Sequence, residues 1–136
     1  GQLVTICFSG KYSEEQVRRM LTGEGGYVGY LGTNNAREVE VLADAGNEKA
    51  IKIQNALFYQ VAKYIGEMAV VLDGKADAIL LTGGLAYSNK LENYMKSKVS
   101  FIAPVFIYPG EDELKALAFN ALRMAKGEVE PKDYLK

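Results

Sequence analysis

The side chains whose types and spacing could support chemistry are concentrated in the stretch AILLTGGLAYSN, where Thr82, Gly83 and Gly84 follow an apolar run and Ser88 precedes a charged stretch. A glycine pair between a buried strand and a helix can admit positive φ, let a flat ligand approach the backbone, or turn amides towards an anion. In a parallel α/β sheet this is also where ligands gather, outside the carboxyl ends of the strands. The same pattern serves equally well as a tight strand-to-helix turn with no ligand. Neither a GxxxxGK[ST] phosphate loop nor GxGxxG is present, since Lys90 follows Gly84 by six positions.

Two further clusters have comparable potential. GTNNAR, Gly32 to Arg37, sets polar side chains and one arginine at a helix start, suited to a ligand or to capping with Arg37 solvated. Glu111, Asp112 and Glu113 could hold a hard cation such as Mg²⁺ or simply complement a helix dipole. Tyr59, Tyr64, Tyr87, Tyr94 and Tyr108 are expected to pack with a wet hydroxyl. With no histidine, imidazole bases and most zinc sites are excluded. Cys7, the single cysteine, lies in an apolar run and is expected to be buried.

The elements that must position these residues follow from the patterning of 136 residues, enough for one core and too few for two comfortable domains. Apolar residues make up 49% and charged residues 24%, as in a folded α/β protein. A net charge of −1 without a basic cluster argues against nucleic acid as a partner. No apolar run reaches the ~20 residues of a membrane span, and the start lacks the features of a signal peptide, so a cytoplasmic protein is expected. Gly1 in place of methionine points to a piece of a longer chain.

LVTICFSG is expected to form a strand, SEEQVRRMLTG a helix boxed by Ser13 and Gln16, and Gly23 to Asn35 a glycine-rich loop tucking Tyr27, Val28, Tyr30 and Leu31 inwards. Asn35 with Glu38 marks a second capping box, and Asn47 opens a long core helix from about Glu48 to Leu72. AILLTGG is then a strand covered on both faces, Ser88 opens a helix, and APVFIYPG is a second buried strand. EDELKALAFNALRMAKG closes as a helix, with carboxylates at its start and basic residues near its end. The last nine residues read as a tail. Parallel strands alternating with helices, joined by a right-handed crossover, are the expected architecture.

Taken together, CFSGKYSEEQVRRMLTGEGG, YLGTNNAREVE, ADAILLTGGLAYS and SFIAPVFIYPGEDEL resemble the carboxyl-terminal part of butyrate kinases, in order and as far as about Gly127. These are relatives of acetate kinase in the superfamily of sugar kinases, actin and heat-shock chaperone ATPases. The resemblance implies a partial ribonuclease-H-like (actin-like ATPase) lobe, with residues 1–136 forming a single domain on the nucleotide side of a longer two-lobe enzyme. The implied activity is reversible, Mg²⁺-dependent phosphorylation of a short-chain carboxylate such as butyrate or a branched-chain fatty acid by ATP, giving an acyl phosphate and ADP.

By the same resemblance, Gly83, Gly84, Leu85 and Ala86 match the adenosine motif, and Thr33, Asn34, Asn35 and Arg37 the loop that contacts purine and ribose. Asn35 stands where relatives are expected to carry aspartate, keeping hydrogen bonding but not charge. Glu111 or Glu113 matches the metal-associated glutamate. The amino-terminal phosphate motif and the residues that stabilise the transferred phosphoryl group have no counterpart, so no catalytic residue is assigned and these residues alone are expected to be inactive. The partners implied are nucleotide, carboxylate and a missing amino-terminal part of the same polypeptide. The long apolar helix leaves room for a homo-oligomer. A non-catalytic nucleotide-binding or subunit-interface module, or a lobe of a sugar kinase or chaperone-type ATPase, is the alternative.

Overall fold

In the computed structural model, residues 1–110 and 112–132 are described. The helices begin where capping side chains stand. Ser13 accepts the N–H of Gln16 at 3.2 Å while Gln16 Oε1 accepts the N–H of Ser13 at 2.8 Å, and this reciprocal box opens α2 (Glu14–Thr22). Asn35 Oδ1 accepts from Arg37 and Glu38 to open α4 (Ala36–Asp44), and Asn47 Oδ1 accepts from Ala50 to open α5 (Glu48–Val71). The box expected at Asn35 is only half formed. The Glu38 carboxylate turns to the side chains of Thr33 and Asn35 rather than to the Asn35 backbone.

At 24 residues α5 is the backbone of the fold, about 36 Å long. Ala50, Gln54 and Phe58, spaced at i+4, form its buried stripe. Its first turns pack Ala50 against Val39 and Ala43 of α4, with Tyr27 and Leu31 against this cluster. Further along, Phe58 joins Leu91, Met95 and Val99 in the main core, to which Val61, Ile65, Ile79, Leu81 and Val105 are added. Tyr94 meets Phe58 with ring centroids 5.7 Å apart, tilted by 53°.

The sheet holds two parallel strands, β1 (Ile79–Gly83) and β2 (Val105–Pro109), in register from Ile79 opposite Val105 to Gly83 opposite Pro109. They are joined through a 3₁₀ turn, Gly84–Tyr87, and α6 (Asn89–Val99), whose N-cap is Ser88, as expected. Expected coverage of both sheet faces is corrected: Ile79 and Leu81 face the core, while Leu80 is 61% exposed and Phe106 and Tyr108 are also exposed. The period-2 alternation of a strand sends these side chains to the opposite face, which no described element covers.

Other expectations are corrected as well. Residues 2–7 form a helix, α1 (Gln2–Cys7), not a strand, and Cys7 is exposed rather than buried. A strand needs a ladder partner for its N–H and C=O groups, whereas a helix pairs them within the segment. The glycine-rich stretch contains α3 (Gly26–Leu31), which Gly25 opens and Gly32 closes at φ 75°. Its glycines act as helix punctuation, and the i, i+4 spacing turns Tyr27 and Leu31 to one side, which leaves Tyr30 exposed rather than tucked inwards. Of the five tyrosines expected to pack, Tyr59, Tyr64, Tyr87 and Tyr108 are mainly exposed.

The closing helix α7 (Glu113–Ala125) has Glu113 in its first turn and Arg123 in its last, as the dipole favours, and buries none of its side chains. No helix among the described residues is long and apolar enough to cross a membrane.

Candidate functional site: a cavity beneath the glycine turn

The 3₁₀ turn after β1 overhangs a cavity of about 500 Å³. Gly83 leaves the strand at φ 81° and ψ −172°, a conformation reserved in practice for glycine. Its carbonyl accepts the N–H of Gly110 at 3.2 Å, which fixes the turn against the end of β2. From there Gly84, Leu85, Tyr87 and Ser88 line one side of the cavity. Nothing lies within 4 Å of where a Cβ on Gly84 would be, so the backbone at this point is open.

The other walls come from three helices. α4 contributes Ala36, Arg37 and Glu40, α5 contributes Gln54 and Phe58, and α3 contributes Tyr27. Ser88 holds the two sides together: its Oγ donates to Glu40 Oε1 at 3.0 Å and accepts the N–H of Leu91 at 3.2 Å. Outside this bond, Lys90 pairs with Asp44 at the surface. Burial, and then the Glu40 carboxylate, push the Tyr27 hydroxyl above its usual pKa, so at neutral pH it is a protonated donor. Arg37 is exposed and makes no ion pair among the described residues.

The structure brings part of the expected site together. Arg37, Gly84 and Leu85 meet at the cavity. Asn34 lines an adjoining space of about 370 Å³ that shares Tyr27, Ala36 and Leu85. Gly83 shapes the turn, and Ala86 is buried beneath it. Thr33 and Asn35 do not line the main cavity. Thr33 Oγ1 donates to Glu38 Oε2 at 2.7 Å and accepts the N–H of Asn35 at 3.1 Å, while Asn35 caps α4. Asn35 also borders a shallower hollow with Arg37 and Glu38.

Sequence reasoning missed Tyr27, Glu40, Gln54, Phe58 and Tyr87 as cavity residues. The usable signal was Gln54, a polar residue set between Ala50 and Phe58 on an otherwise apolar stripe.

Of the two expected metal-associated carboxylates, Glu111 lies outside the described residues. Glu113 is exposed at the start of α7, three residues beyond Gly110. No group of three His, Cys, Asp or Glu side chains that could hold a metal ion occurs among the described residues.

A volume of this size, with an aromatic floor and a few convergent polar groups, suits an organic ligand. The fold is similar to that of the crystal structure of Porphyromonas gingivalis acetate kinase, with a TM-score of 0.75 at 17% identity, over 91% of this chain and 38% of that one. The family model described as the acetokinase family matches residues 5–102, most of the chain, and the chain belongs to that family. It is 53% identical over 134 residues to butyrate kinase 2 of Clostridium acetobutylicum. It is 52% identical to probable butyrate kinases of Clostridium botulinum strains Alaska E43 and Eklund 17B. In each case 98% of this chain is matched, and the chain spans 38% of the relative's length.

Proposed function

We propose that these residues form one domain, the carboxyl-terminal, nucleotide-side portion of a two-lobe carboxylate kinase. That enzyme interconverts a short-chain carboxylate and ATP with an acyl phosphate and ADP. The observation that carries this reading is the meeting of the Gly84–Leu85 turn with Arg37 at one open cavity, in a chain 53% identical to a butyrate kinase.

Gly83, Gly84, Leu85 and Ala86 form the adenosine-side turn, with Gly84 leaving its backbone bare for a base or ribose. Arg37 and Asn34 present polar groups to the nucleotide, and Thr33 and Asn35 hold the start of α4 that carries Arg37. Mg²⁺ would neutralise phosphate charge when bound, with Glu111 or Glu113 as its nearby carboxylate. Phosphoryl transfer depends on charge neutralisation from several directions, so the groups that complete it belong to the rest of the polypeptide, and residues 1–136 alone are inactive. A family of kinases acting on small carboxylates also fits a cytoplasmic location.

The test is an acyl-kinase assay of the full-length polypeptide with butyrate, isobutyrate, acetate and a panel of sugars. Turnover with butyrate or isobutyrate is expected. Phosphorylation of a sugar alone, or nucleotide binding without turnover of any carboxylate, would overturn the assignment.

A further inference from the structure

Gln54 is the buried polar side chain of the described core, only 5% exposed. Its place on α5 belongs to an apolar stripe, with Ala50 one turn before and Phe58 one turn after. A leucine would satisfy that pattern without the cost of burying an amide. Within the described residues the Gln54 carboxamide makes no hydrogen bond, yet no fully enclosed side-chain nitrogen or oxygen lacks a partner. Its Oε1 and Nε2 are therefore not sealed inside the core. The residue's remaining exposure lies at the cavity it lines.

We propose that Gln54 is a specificity-determining residue that hydrogen-bonds the edge of the nucleobase of a bound adenine nucleotide. The inference rests on the nucleotide reading of this cavity and assigns one contact within it. A buried amide with unused donor and acceptor is rare in folded proteins unless a ligand or water satisfies it. A carboxamide offers one acceptor beside two donors, which matches the amine and ring nitrogen that adenine presents side by side. The rest of the wall agrees. Phe58 and Tyr27 supply aromatic surface for a flat ring, whereas on α4 the Glu40 carboxylate suits ribose hydroxyls and the Arg37 guanidinium suits phosphate.

The experiment is calorimetric titration of the full-length polypeptide with ADP and with purine riboside 5′-diphosphate, which keeps the ring and lacks the exocyclic amine. Wild-type protein is expected to bind ADP about tenfold more tightly, the worth of one hydrogen bond. Gln54→Leu should bind the two equally. Gln54→Met, unbranched and of similar length, serves the same purpose if the leucine variant does not fold. A core residue of purely structural importance would change stability but not this discrimination. Gly84→Val is the control for the site itself. Weakened ADP binding in Gly84→Val, with discrimination kept in the Gln54 variants, overturns the role of Gln54 and leaves the site standing. Unchanged ADP binding in every variant overturns both.

Discussion

Ser88 Oγ donates to Glu40 Oε1 at 3.0 Å across 48 residues of sequence, and the same oxygen caps α6 by accepting the N–H of Leu91. One hydroxyl thus starts a helix and joins it to another. Ser88→Ala is expected to cost about 1–2 kcal/mol, the cap and the inter-helix bond together. Asn47→Ala removes a cap alone and should cost about 1 kcal/mol. Urea denaturation of the two variants beside the parent checks the order. Equal losses would show that the bond to Glu40 contributes nothing.

The two glycines of the turn should fail in different ways. Gly83 sits at φ 81° and ψ −172°, where a Cβ costs about 1–3 kcal/mol, so Gly83→Ala should lower the denaturation midpoint. Gly84 has open space around its missing Cβ. Gly84→Val should leave the midpoint nearly unchanged and raise the Michaelis constant for ATP by roughly tenfold, about the loss of one favourable contact. Thermal melts and initial-rate kinetics on the full-length polypeptide separate the two effects. Unchanged nucleotide affinity in folded Gly84→Val would count against an adenosine contact at this turn.

Tyr27 gives a pH dependence of definite sign. Burial and then Glu40 raise its pKa above 10.0, because both oppose the phenolate. The folded state holds this proton more tightly than the unfolded chain. The resulting stability is therefore fully present below about pH 10 and is lost as pH climbs through the raised value. Stability of the parent should fall more steeply than that of Tyr27→Phe above about pH 10 in denaturant titrations. Parallel curves would rule out this contribution.

Local signals in the sequence carried most of the element boundaries. Ser13, Asn35, Asn47 and Ser88 all cap helices as their spacing suggests, because a cap is made by residues two or three positions apart. Residues 2–7 misled because β-branched composition describes a strand only where a ladder partner exists, and partners are a tertiary matter. Likewise, the continuous apolar run of β1 could not say which of its faces would be covered. At the cavity, Gly84, Leu85 and Arg37 were legible only through the family resemblance of their segments, because their own spacing serves a turn or a cap equally well. Tyr27, Glu40 and Phe58 were not, since only the packing of α3, α4 and α5 brings them to the same space.

Phe58 has a double duty that follows from this packing. Its ring is 3% exposed in the core with Leu91, Met95 and Val99, and it is also part of the cavity wall. Core residues tolerate exchange when volume is kept, and binding walls tolerate it when shape is kept. Phe58 must meet both conditions at once. Substitutions that would ordinarily drift through the core under selection for stability alone are therefore filtered at this position by whatever occupies the cavity. Ligand recognition and the evolution of the core are bound to one ring.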